Sequence, residues 1–138
     1  MTESDIQKIE EAIGKMLPPS YKNILLNYPP ELAEPIENDE AINVVILPND
    51  ANQLIDANLR VDKYIRATSK ILIGSDGCGN DFLIDNIDEK IYEIDHEECK
   101  YFDTEQTQFD FLGSLKYGCE NISEYIEIWK RIKKGGAL

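Results

Sequence analysis

Three short apolar runs in the centre of the chain, Lys70–Ser75, Asp81–Asp85 and Lys90–Asp95, are separated by only five and four residues. A parallel pairing needs a crossover of about a dozen residues or more, so strands joined this closely pair antiparallel. The links carry turn residues: Asp76-Gly77-Cys78-Gly79-Asn80 and Asn86-Ile87-Asp88-Glu89, in which Gly and Asn tolerate positive φ. Lys100–Phe102 offers a further short strand. Ile42–Leu47, β-branched and stopped by Pro48, offers an earlier one.

Helical periodicity flanks this centre. Ile6, Ile9, Ile13 and Met16 form one apolar stripe over residues 3–16, with Thr2 and Asp5 placed as a capping box. Leu17-Pro18-Pro19-Ser20 stops that helix and opens a second, carrying Tyr21, Ile24, Leu25 and Tyr28, which Pro29-Pro30 ends. An acidic loop over 31–41 follows. Asp50 caps a third helix predicted at about 51–66. Thr107 and Asp110 suggest another capping box, opening a helix that runs through Phe111, Leu112 and Leu115 up to Gly118. Asn121 begins the last helix, whose stripe is Ile122, Tyr125, Ile126, Trp129 and Ile132. The basic cluster Lys130, Arg131, Lys133 and Lys134 lies where cations complement a helix dipole. Helices, then strands, then helices give the class α+β: a central, mainly antiparallel sheet packed with N-terminal and C-terminal helices. At 138 residues the chain reads as a single domain, 1–138.

The net charge of −13 disfavours nucleic acid and anionic membranes as direct partners and favours a basic protein, although plain solubility also makes proteins acidic. The charge is uneven. Between Asp76 and Asp110 there are 12 acids against Lys90 and Lys100 alone, a net −10. Asp76, Asp81, Asp85, Asp88, Glu89, Glu93, Asp95, Glu97 and Glu98 fall in turns and at strand ends, where side chains are expected to reach solvent. Asp81 and Asp85 share strand parity, as do Glu93 and Asp95. An exposed rim of one sign steers an oppositely charged partner. Tyr92, Tyr101 and Phe102 lie close enough in sequence to serve as its anchors; ordinary packing is the competing reading.

Catalytic and metal patterns are weak. Cys78, Cys99 and Cys119 form an odd, scattered set, pointing to free thiols in a reducing compartment. With a single His they match no common zinc spacing. The 76–81 stretch lacks the ligand alternation of a calcium loop and the Lys-Ser or Lys-Thr of a phosphate cradle. His96 stands between Asp95 and Glu97, but neighbours in a strand point to opposite faces. Acidic surroundings would raise a Cys78 or Cys99 thiol pKa, not lower it. No cofactor is expected. The chain's first residues are acidic and lead into the first helix without a signal-peptide pattern, and no apolar stretch reaches membrane-spanning length, so a cytoplasmic location is expected.

Four stretches in order resemble the SUKH superfamily. Leu17-Pro18-Pro19-Ser20-Tyr21-Lys22-Asn23-Ile24-Leu25 is similar to its early LP-x-x-Y-K-x-F-L segment. Ile71-Leu72-Ile73-Gly74-Ser75-Asp76-Gly77-Cys78-Gly79-Asn80-Asp81 is similar to its I-P-I-G-x-D-G-G-G-D strand-turn-strand. Ile91 to Glu97 resembles the next strand with its D-H-E end, and Thr107 to Leu112 the start of a late helix. Leu72 stands where that family has Pro, Cys78 where a second Gly is common, and Tyr28-Pro29-Pro30 where Asn-Gly-Gly is usual. The resemblance implies a non-catalytic, protein-binding domain. Bacterial members are mostly immunity proteins that neutralise toxins, often nucleases, in the cytoplasm; fungal relatives regulate cell-wall glucan synthesis. A nuclease groove is basic because it holds phosphates, so the acidic segment suits a cognate toxin as partner. Regulation of wall synthesis is the alternative. An enzyme would need a convergent polar pocket, for example around His96.

Overall fold

The computed structural model describes residues 1–30, 48–75, 81–94 and 115–133. Helices α1 (Glu3–Ile13) and α2 (Pro19–Leu26) lead to α3 (Ala51–Arg60) and the single turn α4 (Asp62–Ile65). Strands β1 (Lys70–Ser75), β2 (Asp81–Asp85), β3 (Ile91–Ile94) and β4 (Leu115–Cys119) follow, then helix α5 (Ile122–Lys133). The strands form one antiparallel sheet in the order β1-β2-β3-β4, so the fold is α+β with helices at both ends of the chain. None of the described helices is long and apolar enough to cross a membrane.

Local chemistry sets the helix starts. Thr2 and Asp5 make the reciprocal capping box: Thr2 N donates to Asp5 Oδ2 at 2.9 Å and Asp5 N to Thr2 Oγ1 at 3.2 Å. Asp50 Oδ1 accepts from Gln53 N at 2.9 Å, and Asn121 Oδ1 from Glu124 N at 2.8 Å. Gly14 ends α1 at φ 72°, in the left-handed region where a Cβ is unfavourable.

The register sorts the strand residues onto two faces. Ile71, Ile84, Ile91 and Cys119 meet Ile6 and Ile9 of α1, Tyr21 and Leu25 of α2, Leu54 and Ile55 of α3, and Ile122, Tyr125 and Ile126 of α5. On this face Phe82 tilts against Tyr125, with ring centroids 5.9 Å apart. Leu72, Leu83 and Ile94 point the other way and pack under Val61, Tyr64 and Ile65. The predicted single helix over 51–66 is therefore two. The chain turns at Val61 (φ −106°, ψ 9°), and the turn carries Tyr64 and Ile65 to the second face of the sheet.

Helix α3 runs past the edge of β1 that no other described strand pairs with. The Asn58 amide bonds there as the peptide group of a neighbouring strand would. Its Oδ1 accepts from Leu72 N at 2.8 Å, and its Nδ2 donates to Leu72 O at 2.9 Å and to Leu54 O at 2.8 Å. Lys15 Nζ occupies the next outward carbonyl, donating to Lys70 O at 2.7 Å and to Ile65 O at 2.6 Å. Unpaired strand edges invite pairing with another chain, so these two side chains close the edge.

The structure corrects the helix expected to run to Gly118. Leu115–Cys119 is strand β4, paired with β3 through Ile94↔Leu115, Glu93↔Lys116 and Tyr92↔Tyr117. A short apolar run fits either state, and an available sheet edge decides it. Gly118 suits this role, because a Cβ there would lie 3.0 Å from the Ile91 carbonyl oxygen. The expected strands Ile42–Leu47 and Lys100–Phe102, the 76–80 turn and the Thr107/Asp110 capping box lie outside the described residues.

Candidate functional site

The β2–β3 turn is organised by one buried carboxylate. Asp85 Oδ1 accepts from Ile87 N at 2.7 Å and Asp88 N at 3.0 Å, while Oδ2 accepts from Ser69 Oγ and Lys70 Nζ, each at 2.5 Å. Burial pushes this carboxyl up, but the donors Lys70, Ser69 and the Asp88 and Ile87 amides outweigh it and hold the pKa at about 2. Lys70 also lies 4.5 Å from the centroid of the Tyr92 ring, and Tyr92 Oη donates to Asp88 Oδ2 at 2.9 Å. Burial and the Asp88 hydrogen bond raise the Tyr92 hydroxyl to about 12.

The far side of the turn reaches α2. Glu89 adopts φ 60°, and its carboxylate accepts from Ser20 Oγ at 2.7 Å and Ser20 N at 3.3 Å. Pro18 gives α2 no side-chain cap, so an acid 69 residues away supplies the anion that favours a helix N-terminus. Asn86 Nδ2 donates to Met16 O at 3.4 Å. The β2–β3 turn and the α1–α2 connection are thus tied together at two points.

These positions change the reading of the acidic rim. Asp81 and Asp85, expected to reach solvent, are 3% and 4% exposed. They share a face, as parity requires, but it is the face of Leu83, covered by α4 and the end of α3. Asp81 pairs there with Arg60 at 3.4 Å. A buried charge persists only when paired and hydrogen-bonded, so both carboxylates belong to the framework. Glu89 is half-buried in its contact with Ser20. Glu93 and Tyr92 are half-buried, Glu93 standing opposite Phe82 and Lys116 in the register. Asp88 is exposed. Asp76, Asp95, Glu97, Glu98, Tyr101 and Phe102 lie outside the described residues, as do His96, Cys78 and Cys99.

Among the described residues no group of three or more His, Cys, Asp or Glu is placed to hold a metal ion. Cys119 is a free, buried thiol. Burial, together with the charges of Glu124 and Glu120, raises its pKa to about 11 although its Sγ contacts Asn121 O at 3.4 Å; at neutral pH it is not a thiolate nucleophile. The helix expected over 3–16, with Met16 on its apolar stripe, ends instead at Ile13 before Gly14, leaving Met16 exposed, as is Ile87, which sequence reasoning passed over. The signal for Ile87 was an apolar side chain inside a turn.

The sequence profile of the SMI1 / KNR4 family (SUKH-1) matches residues 1–128. The chain belongs to the SMI1 / KNR4 family. No curated protein matches it. In this SUKH-1 domain the Leu17-Pro18-Pro19-Ser20-Tyr21 segment is the connection that receives the β2–β3 turn, with Leu17 and Tyr21 buried in the core. The Ile71–Ser75 stretch is the strand whose edge Asn58 closes.

Proposed function

We propose that this SUKH-1 domain acts by binding rather than by catalysis, and that it neutralises a basic, nuclease-type toxin as an immunity protein. The observation that carries the reading is the charge distribution, −13 overall and −10 between Asp76 and Asp110, in a family of protein-binding domains. A basic toxin groove is attracted by such a field and is blocked when a folded acidic protein sits over it. Neutralisation of Asp81 and Asp85 by Arg60 and Lys70 reduces the exposed charge without changing its sign. The test is to express a toxin encoded beside this gene, with and without this protein, and to measure survival and nucleic-acid integrity. Protection that depends on a purifiable complex supports immunity. Absence of protection by a stable, folded chain overturns it. Specific capture of wall-synthesis components would instead favour regulation of glucan synthesis.

A further inference from the structure

Among the described residues three large apolar side chains are exposed: Met16 at 64%, Leu59 at 50% and Ile87 at 83%. Single exposed apolar residues are ordinary, but Met16 and Ile87 lie on segments bonded to each other. Asn86 donates to the Met16 carbonyl, and Ser20 to Glu89. The α1–α2 connection and the β2–β3 turn therefore form one corner with an apolar side chain on each arm. A shallow groove of about 400 Å³, lined by Gln7, Glu10, Glu11, Gly14, Lys15 and Met16, continues that corner along the end of α1. Nothing in the turn requires Ile87 to be apolar, since turn positions this exposed accept polar residues.

The charges beside the corner select what can cover it. Glu11 and Asp88 are exposed. The Lys15 ammonium is turned inward onto the Ile65 and Lys70 carbonyls, so it does little to offset them towards solvent. With the chain at −13, a second copy is repelled, and a surface that pairs apolar side chains with flanking cations is attracted. The geometry points to this corner as the docking surface for a basic amphipathic segment of a protein partner, with Met16 and Ile87 as its apolar anchors. The inference rests on the reading of a basic partner and replaces the Asp81–Asp85 face with the α1–α2/β2–β3 corner as the place of contact.

The probe is a short helical peptide of Leu and Lys with one apolar and one cationic face, titrated into the ¹⁵N-labelled full chain. Amide shifts are expected to cluster on residues 11–17 and 86–89. Ile87→Asp separates the two forces. It adds an acid, so pure charge attraction would tighten binding, whereas loss of an apolar anchor weakens it by about tenfold. Leu59→Asp makes the same charge change at the opposite end of β2, beside Arg60, and should leave affinity within about twofold. Shifts spread over the whole acidic surface, unchanged or tighter binding by Ile87→Asp, or no binding of the peptide would each overturn the assignment. So would concentration-dependent shifts at these residues without peptide, which would make a second copy the occupant. If the wild type neutralises its toxin and Ile87→Asp does so equally well, only the docking corner fails. If the wild type does not neutralise, the immunity reading fails whatever the peptide does.

Discussion

Asp85 is held by four donors, and each depends on its charge or its acceptor oxygens. Its carboxyl pKa is lowered from 3.8 to about 2, so folding is stabilised while it is ionised. That contribution is fully present above about pH 4 to 5 and is lost as pH falls through about 2. Asp85→Asn is expected to cost about 2 kcal/mol at neutral pH. It should also flatten the loss of stability on acidification, as read by urea unfolding at a series of pH values. Tyr21 presents the opposite case. Its side chain is buried in the core, and its hydroxyl has no hydrogen-bond partner among the described residues. Burial, with a smaller contribution from Tyr28, keeps it far above its usual pKa. Because an unpaired buried donor carries a desolvation cost, Tyr21→Phe should leave stability unchanged or raise it by up to about 1 kcal/mol. A loss above that size in thermal or chemical unfolding would mean that the hydroxyl has a partner.

At the scale of elements, the decisive contact is helix α3 against the edge of β1. Asn58 meets both the N–H and the C=O of Leu72, which no strand among the described residues reaches on that side. Asn58→Ala leaves two buried backbone groups unpaired and should cost about 2–3 kcal/mol. Amide exchange at Leu72 should accelerate more than at Ile84, in the neighbouring strand. Equal protection at both sites in the variant would show that water or a neighbouring side chain replaces the amide. Asn58→Asp should be no better than Ala, since a carboxylate cannot donate to the Leu72 and Leu54 carbonyls. The same element explains the break at Val61. A continuous helix would keep Tyr64 and Ile65 from the second sheet face, where they cover Leu72, Leu83 and Ile94.

For the whole molecule, charge and shape act at different ranges. The field of a chain at −13 reaches about one Debye length, roughly 8–10 Å near physiological salt, and governs encounter. The proposed docking at the apolar corner would act only on contact. Association with the proposed basic partner should therefore slow by about tenfold or more between low salt and about 0.5 M, while dissociation changes far less. Stopped-flow or surface-binding kinetics would separate the two rates. A salt-insensitive association rate would remove steering from the account, and a strongly salt-sensitive dissociation rate would move the binding energy from the apolar corner to ion pairs.

The sequence by itself determined the antiparallel run β1–β2–β3, since links of only five residues each permit only antiparallel neighbours. It also determined the starts of α1, α3 and α5, since Thr2, Asp50 and Asn121 cap through bonds only three residues long. Such local interactions depend on spacing along the chain and are legible from it. Only the tertiary structure decided that Leu115–Cys119 is a strand, because the β3 edge that pairs with it is distant in sequence. It alone decided the fate of the acids. Parity placed Asp81 and Asp85 on one face, but whether that face meets water depends on α4, Arg60 and Lys70 arriving over it. Charge can be counted from sequence, whereas exposure is a property of everything else that packs nearby.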